Sequence, residues 1–251
     1  MRPRALHLLL VTALSTQAGS CPNQPSPIPV PAGPTAKTPS ERPAESPKAV
    51  ERIRDRIPAP TMSYLGADWL TRPERIEEEQ PDKMLDALHI RPGQNVADIG
   101  AGVGYHAIRL SKRVGPEGRV YATDIQEEML TLLRQNLKDE KISNVIPVLS
   151  GDLDTGLPKA SIDVVLMVDV YHELSNPERF LAGLKIALRP EARVVLVEFR
   201  GEDPNVPIRE EHKMTAAQVI RELGQSGFML VERQEFLPWQ HILIFREGTT
   251  H

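Results

Sequence analysis

A glycine-rich turn that follows a carboxylate is the feature of this 251-residue chain with the clearest chemistry. Residues 96–105 read as a short apolar strand with Asp98 near its end, then glycines at 100, 102 and 104, then the start of a helix. Glycines let the backbone approach a ligand closely, and the following helix offers free N–H groups. A carboxylate beside such a turn disfavours a pyrophosphate, because like charges repel in a partly dry site. The pattern therefore predicts a site for a ligand with a cationic end.

A second acid lies at the end of the next apolar strand, which the sequence predicts over residues 119–125. Asp124 comes twenty-two residues after Gly102, a spacing at which an acid in doubly wound folds hydrogen-bonds ribose hydroxyls. Its two acceptor oxygens suit both hydroxyls of an unphosphorylated ribose. The alternative is that Asp124 caps the helix predicted over residues 126–138, and the two roles are compatible.

The D-x-G-x-G-x-G arrangement of residues 98–104 resembles motif I of the class I S-adenosylmethionine-dependent methyltransferases of type 11/25. The resemblance covers residues 74–247, about two thirds of the chain. It implies S-adenosylmethionine as cofactor, which carries an ammonium and a sulfonium and no phosphate. The cofactor-binding residues that it implies are Asp98, Gly100, Ala101, Gly102, Gly104, Tyr105, Asp124, Ile125, Gly151, Asp152, Leu153 and Asp169.

Two details of this resemblance concern the later strands. The family has an acid after its third strand that accepts a hydrogen bond from the adenine amino group, and Asp152 stands at that position. The alternative is that Gly151 and Asp152 simply form a turn. Glu191 and Ala192 stand where the family usually has two glycines before its fifth strand, a departure that leaves the binding residues untouched.

The methyl acceptor is expected beyond the fourth strand, predicted over residues 162–168. Its continuous apolar run indicates a strand buried on both faces of a parallel sheet, and ligands lie beyond the carboxyl ends of such strands. Tyr171, His172 and Glu173 follow there. His172 is a candidate general base, because an imidazole titrates near neutrality, and His212 is a second. The alternative is that both are loop histidines, since positioning alone accelerates an in-line displacement.

A segment before the first strand combines an aromatic residue with charges, at residues 64–75. In the family this region often lies over the cofactor as a lid, so Trp69 and Arg72 are candidate substrate contacts. The alternative is that Trp69 anchors the segment to the core and Arg72 is a solvated charge.

The order of the predicted elements indicates an α/β, Rossmann-like, doubly wound fold. We expect a seven-stranded sheet that is mostly parallel with an antiparallel last strand. Helices are predicted over residues 177–188 and 215–226, and closing strands over residues 228–234 and 241–246.

The first sixty residues differ from the rest. Residues 1–21 combine a basic start, a short apolar run and small residues before Cys21, which is a secretory signal layout resembling a bacterial lipoprotein box, with Ala18 where leucine is usual. Residues 22–60 form a proline-rich tether, 61–89 a lid or helical segment, and 90–251 the cofactor-binding domain. We expect an exported protein, periplasmic or anchored by a lipid on Cys21, or a cytoplasmic one if the start codon is misassigned.

Composition and spacing narrow the functions further. The net charge is −4 and aromatic residues are 4% of the chain, so no nucleic-acid partner is expected. No metal site is predicted, because no helix carries two histidines at ligand spacing and Cys21 is the sole cysteine.

The sequence therefore predicts a methyltransferase that acts on a small-molecule acceptor by in-line displacement. The alternative is an exported, non-catalytic ligand-binding protein that retains the fold. A nicotinamide oxidoreductase is disfavoured by Asp98 and Asp152.

Overall fold

The computed structural model of the chain describes residues 56–151 and 153–248. The strands are β1 Asn95–Ile99, β2 Arg119–Asp124, β3 Val145–Leu149, β4 Ile162–Val168, β5 Leu188–Arg200, β6 Lys213–Met214, β7 Phe228–Gln234 and β8 Gln240–Glu247. They form one sheet in the order β3-β2-β1-β4-β5-β8-β7, and the two-residue β6 pairs with β5 beside this path. Strands β1 to β5 pair in parallel, and β8 is antiparallel to both β5 and β7. The predicted α/β sheet is confirmed, with β6 as a short addition.

The helices lie between the strands, as a doubly wound fold requires. They are α1 Arg75–Glu79, α2 Pro81–Ala87, α3 Tyr105–Val114, α4 Glu127–Asp139, α5 Pro177–Ala187 and α6 Ala216–Gln225. Short 3-10 helices span Tyr64–Thr71, Tyr171–Glu173 and Glu210–His212. Side-chain caps start two of the α-helices, because Asn176 accepts from the Arg179 N–H before α5 and Thr215 accepts from the Gln218 N–H before α6.

Two apolar layers cover the two faces of the sheet. Along β4, Val164 and Leu166 pack into the layer that contains α2, α3 and α4, whereas Val165 and Met167 pack into the layer of α5 and α6. This alternation explains why the strand is apolar at every inner position. The carboxyl ends of β1 to β5 consequently meet at one edge, where the site lies.

Glu191 adopts the backbone conformation for which the family usually supplies glycine. Its φ is +65°, in the left-handed region. The departure noted in the sequence therefore leaves the shape of the turn before the central part of β5 intact, at the cost of some backbone strain.

Several predictions fall on residues that the structure does not describe. They are the signal at 1–21, most of the tether at 22–60, and Asp152. Across residues 56–151 and 153–248, every helix is too short or too polar to cross a bilayer.

Candidate functional site

A cavity of about 780 Å³ opens at the carboxyl edge of the parallel strands. Residues after β1, β2 and β3 line one part, which we call the glycine-turn end: Gly100, Gly102, Asp124, Ile125, Gln126, Met129, Ser150 and Gly151. Residues after β4 and β5 line the other part, which we call the histidine end: His172, Glu173, Leu174, Phe199, Pro207, Ile208, Arg209 and His212. Residues of the lid segment, 61–89, complete the wall.

The glycine turn requires residues without side chains at two places that face the cavity. Gly100 has φ +67°, and a Cβ there would lie 2.5 Å from Val170 Cγ2. Gly102 has φ +54°, and a Cβ there would lie 2.7 Å from Leu70 Cδ1. The turn therefore presents bare backbone to the cavity, as the sequence predicted. Ala101 is buried and donates its N–H to the Thr123 carbonyl at 2.8 Å, which ties the turn to β2.

Asp98 lies behind this turn as a buried carboxylate without a full set of partners. Its side chain is 2% exposed, and Oδ2 has no hydrogen-bond partner among the described residues. Burial raises the pKa of the Asp98 carboxyl to about 7. A hydrogen bond from the Ala107 N–H and the positive charge of Arg75 lower this pKa, but burial outweighs them. A cationic ligand beside it would stabilise its ionised form.

Asp124 connects the turn to the helix that follows β2. Its Oδ2 accepts from the Gly102 N–H and its Oδ1 accepts from the Gln126 N–H, both at 2.9 Å. Burial raises the pKa of this carboxyl. The N-cap of α4 is Gln126, whose side chain makes no capping bond. Asp124 lies two residues before this position, so it is not the N-cap that the alternative interpretation required.

Some of the remaining residues predicted for the glycine-turn end line the cavity, and others do not. Gly151 and Ile125 line the cavity, whereas Leu153 is 39% exposed and lies outside its wall. Gly104 starts α3 with φ +93°, and a Cβ there would clash with Leu133. Tyr105 does not line the cavity, since its ring lies between the guanidinium groups of Arg75 and Arg109, at 4.1 and 4.0 Å.

Charged side chains hold the lid segment together. Arg75 Nε donates to both Glu79 oxygens at 2.8 Å, and its Nη1 donates to the Leu70 carbonyl at 2.7 Å. Both side chains of this pair are buried. Arg72 pairs with Glu78 at 2.5 Å and also with Glu79 at 3.4 Å.

Trp69 and Arg72 both line the cavity, and the structure rejects the two alternatives for them. Trp69 is 56% exposed, so it does not anchor the segment to the core. Arg72 is not a free solvated charge, because it stacks over the Trp69 ring at 3.8 Å and makes ion pairs.

Gln126 fastens the start of the lid segment to the glycine-turn end. Its Nε2 donates to the Met62 carbonyl at 2.8 Å, and its Oε1 accepts from the Tyr64 N–H at 3.0 Å. The residue directly beyond Ile125 therefore links the lid segment to the loop that carries Asp124.

Asp169 lies where the two ends meet. It has a φ of +53°, which is strained for a residue other than glycine. Oδ2 accepts from Gln240 Nε2 at 2.7 Å, whereas Oδ1 is buried without a partner among the described residues. Burial and the nearby charges of Glu79 and Glu198 raise the pKa of Asp169 well above its usual value.

A chain of hydrogen bonds runs from the sheet to the histidine end. Glu198 in β5 is completely buried, and its Oε2 lies 2.6 Å from His172 Nδ1 while its Oε1 accepts from the Tyr171 N–H at 2.9 Å. His172 Nε2 lies 3.0 Å from His212 Nδ1. Burial opposes protonation of His172, but the Glu198 carboxylate outweighs it, so the pKa of His172 is raised. Burial and the neighbouring His172 lower the pKa of His212.

Glu173 completes this group. Its carboxylate and the two imidazoles offer one ligand atom each, and the three atoms lie within 4.8 Å of one another. Burial raises the pKa of Glu173 to about 7. The charge of His172 and a hydrogen bond from Thr61 lower this pKa, but burial outweighs them.

Tyr171 does not lie at the cavity, contrary to the prediction. Its side chain is fully buried in the layer of α5 and α6, with the Arg56 guanidinium 4.8 Å from the ring centre. The tight 3-10 turn over Tyr171–Glu173 directs neighbouring side chains to different sides, so that Tyr171 enters the core while His172 and Glu173 face the cavity.

Sequence reasoning missed five residues that shape the site: Glu198, Gln240, Gln126, and the paired Arg75 and Glu79. Only Glu198 carried a signal, as a single charge within the apolar run of residues 194–199. Gln240 is distant along the chain from the residue that it contacts. Gln126, Arg75 and Glu79 belong to ordinary polar segments.

Known proteins resemble this chain over the region that builds the cavity. The family model described as "Methyltransferase domain" matches residues 97–196. A protein-L-isoaspartate O-methyltransferase from Aeropyrum pernix is 40% identical over 189 residues, which cover 70% of this chain and 72% of that protein. The ubiquinone/menaquinone biosynthesis C-methyltransferase UbiE of Cupriavidus pinatubonensis is 30% identical over 139 residues, 55% of this chain and 56% of that protein.

A solved structure has the same architecture. The crystal structure of a SAM-dependent methyltransferase from Aquifex aeolicus superposes with a TM-score of 0.70 at 28% identity, over 74% of this chain and 98% of that one. The chain spans only about half of the length of the UbiE relative.

The fold and the acids at its strand ends define an α/β protein that binds a nucleoside-type ligand. The chain belongs to the class I S-adenosylmethionine-dependent methyltransferases, and S-adenosylmethionine is its cofactor.

Proposed function

We propose that this protein methylates a small-molecule acceptor bound at the histidine end of the cavity. S-adenosylmethionine supplies an activated methyl group on a sulfonium. The protein therefore has to bind the cofactor, align it with the acceptor and exclude water. The observation that carries the proposal is the construction of the cavity, with bare backbone and acids at one end and imidazoles and apolar residues at the other.

The residues at the glycine-turn end fit the cofactor. Gly100 and Gly102 line the cavity with bare backbone, since a Cβ at either would overlap Val170 or Leu70. Asp98, behind the turn, keeps one buried oxygen without a partner among the described residues. Asp124 already accepts two backbone N–H bonds, which fix its carboxylate at the cavity wall. We assign the ribose to Asp124, the cationic end to Asp98 and Asp169, and the adenine to the loop of Ser150, Gly151 and Asp152.

The histidine end suits the acceptor. His172 and His212 offer imidazole nitrogens there, and Phe180, Phe199 and Ile208 add apolar surface. Trp69 and Arg72 of the lid segment contribute an aromatic face and a cation to the same cavity. The volume lies within the range of roughly 300–1,000 Å³ that is usual for small-ligand sites.

The relatives support the reaction class more than the acceptor. One is named for ubiquinone and menaquinone biosynthesis, the other for an isoaspartyl residue of protein. We favour a small molecule, because residues of the lid segment form one wall of the cavity and restrict access for a folded protein. The non-catalytic alternative finds no support in these relatives, since both are named as methyltransferases.

The first test is calorimetric titration of the full-length chain with S-adenosylmethionine and S-adenosylhomocysteine. We expect one site per chain with micromolar affinity, and no binding by well-folded protein would refute the proposal. A second test incubates the protein with S-adenosylmethionine labelled in the methyl group and with cell extracts separated into small molecules and proteins. Label in the small-molecule fraction supports our acceptor class, whereas label confined to protein contradicts it.

A further inference from the structure

We infer that His172, Glu173 and His212 form a binding site for a divalent transition-metal ion of the zinc type at the histidine end. The inference deepens the proposed function, on which it rests, by giving the acceptor side a means of binding an oxygen or sulfur atom. The sequence predicted no metal site, because it contains no two histidines at ligand spacing on one helix. The fold brings together donors from two 3-10 helices that lie 40 residues apart.

The donor set is chemically suited to such an ion. Two imidazole nitrogens and one carboxylate are a common ligand set for zinc, which binds nitrogen at about 2.0–2.1 Å and leaves a fourth position for water or substrate. The three ligand atoms lie within 4.8 Å of one another. All three residues line the cavity, so the fourth position would face the space that we assign to the acceptor.

Glu198 provides the outer support that metal-binding histidines require. A metal-binding histidine almost always donates its other ring N–H to a carboxylate or carbonyl, which fixes the tautomer and the ring orientation. Glu198 Oε2 lies 2.6 Å from His172 Nδ1, and the Tyr171 N–H holds the other Glu198 oxygen. With the Nδ1 proton directed at Glu198, the Nε2 lone pair of His172 points toward His212 and the cavity.

The two histidines contact each other directly. His172 Nε2 and His212 Nδ1 are 3.0 Å apart, a hydrogen-bond distance that requires a proton on one of the two nitrogens. An ion in place of this proton has to bind both nitrogens, which demands a small displacement of one ring. His212 can supply it, because it ends a 3-10 helix at the surface and is only partly buried, whereas His172 is held from both sides.

The surrounding charges also favour a cation. Glu173, Glu198 and Asp169 all lie close to His172, and Glu211 and Arg209 lie near His212. Arg209 is directed to solvent, with 81% of its side chain exposed. Glu198 and, in their ionised forms, Glu173 and Asp169 place negative charge next to the imidazoles, and a bound dication would favour those ionised forms.

The experiment measures metal binding directly and needs no acceptor. Zn²⁺ is titrated calorimetrically into full-length protein, and Co²⁺ is followed by its visible absorption, both in a Cys21→Ser background that removes the sole thiol. We expect one ion per chain with a Kd on the order of micromolar or tighter. Glu198→Gln should weaken binding about 10–100-fold, and His212→Ala should weaken it further.

His89→Asn is the matched control, because His89 is exposed, lies before β1 and has a positive φ that asparagine tolerates. The His89→Asn substitution should leave the affinity for Zn²⁺ unchanged. S-adenosylhomocysteine binding is measured on every variant, and His212→Ala should retain it because the glycine-turn end is intact.

Two results would overturn the inference: no stoichiometric binding up to about 1 mM metal, or equal binding by wild type and His212→Ala. If S-adenosylhomocysteine still binds in that case, the proposed function stands and the histidines return to their predicted role as bases. Failure of S-adenosylhomocysteine to bind wild type would instead refute the proposed function.

Discussion

The two ends of the cavity are built in different ways. At the glycine-turn end, backbone turns after β1, β2 and β3 make the shape, and Asp124 accepts from the backbone N–H groups of Gly102 and Gln126. At the histidine end, each important side chain depends on a residue from another element, such as Glu198 for His172 and Gln240 for Asp169. Backbone conformation therefore specifies the first end, whereas tertiary packing specifies the second. The lid segment combines both kinds of construction: the Arg75–Glu79 ion pair lies within α1, whereas Gln126 from the loop after β2 holds the start of the segment.

Replacing Arg75 tests the ion-pair construction of the lid and should have the largest effect. Arg75→Met leaves Glu79 buried beside Arg72 alone, and removal of one partner from a buried pair costs about 3–5 kcal/mol. Urea unfolding should show this loss in the free energy of unfolding. Arg134→Met is the control, since the exposed pair of Arg134 with Glu127 contributes at most about 1 kcal/mol. Equal losses in both variants would mean that the pair does not hold the lid.

Replacing Asp124 tests the glycine-turn end. Asp124→Ala removes the acceptor of two backbone N–H groups together with the proposed ribose contact. We expect S-adenosylhomocysteine to bind about 100-fold more weakly in calorimetry, which corresponds to about 2.7 kcal/mol. Asp139→Ala, at the far end of α4, should bind as wild type does. Unchanged affinity of Asp124→Ala would contradict our assignment of the ribose.

A pair of glycine substitutions separates backbone strain from crowding. Gly93 and Gly104 both have positive φ, but a Cβ at Gly93 meets no atom within 4 Å, whereas one at Gly104 would overlap Leu133. Gly104→Ala should therefore lose about 2 kcal/mol more unfolding free energy than Gly93→Ala. Thermal unfolding of the two variants measures the difference. Similar melting temperatures would show that the turn tolerates side chains and is less strictly specified than we infer.

The smallest expected effect is a pH dependence at Asp98. Because its pKa is about 7, the carboxyl is largely protonated below that pH and a cationic ligand binds its ionised form better. The affinity for S-adenosylmethionine should fall as pH decreases from 8 to 6, by at most about tenfold per pH unit. Asp98→Asn should lose this pH dependence in calorimetry. If the affinity of the wild type does not change between pH 8 and 6, Asp98 is excluded as the cation partner.

The same group affects the stability of the ligand-free protein with a defined sign. The pKa of Asp98 is higher in the folded than in the unfolded chain, so the folded chain binds more protons between about pH 4 and 7. The contribution of Asp98 to the unfolding free energy therefore decreases as pH rises through this window. In Asp98→Asn this part of the pH dependence should be absent.

The sequence predicted the fold and five residues that line the glycine-turn end, because their signals are contiguous. The apolar run of β4, the turn at residues 100–104 and the acid at 124 can each be read from a few neighbouring residues. The histidine end was predicted less completely. His172 and His212 were identified singly, but the 3.0 Å contact between them results from packing of two loops and has no local signature.

Tyr171 illustrates the same limit. Proximity in sequence to His172 and Glu173 indicated a shared position at the cavity, but the 3-10 turn sends the ring into the core. Arg75 and Glu79 read as an ordinary charged helical segment, because burial of an ion pair depends on neighbours that the sequence does not display.

The position of β8 also has a consequence for how the protein is made. This strand lies between β5 and β7 and carries Gln240, the amide that holds Asp169. A nascent chain that has not yet delivered residues 240–247 exposes the edge of β5, which is a site for unwanted strand pairing. The residues of the glycine-turn end are all made before β8, whereas Asp169 lacks its Gln240 partner until β8 has been made. Chaperone dependence and aggregation during synthesis should therefore originate in the second half of the chain.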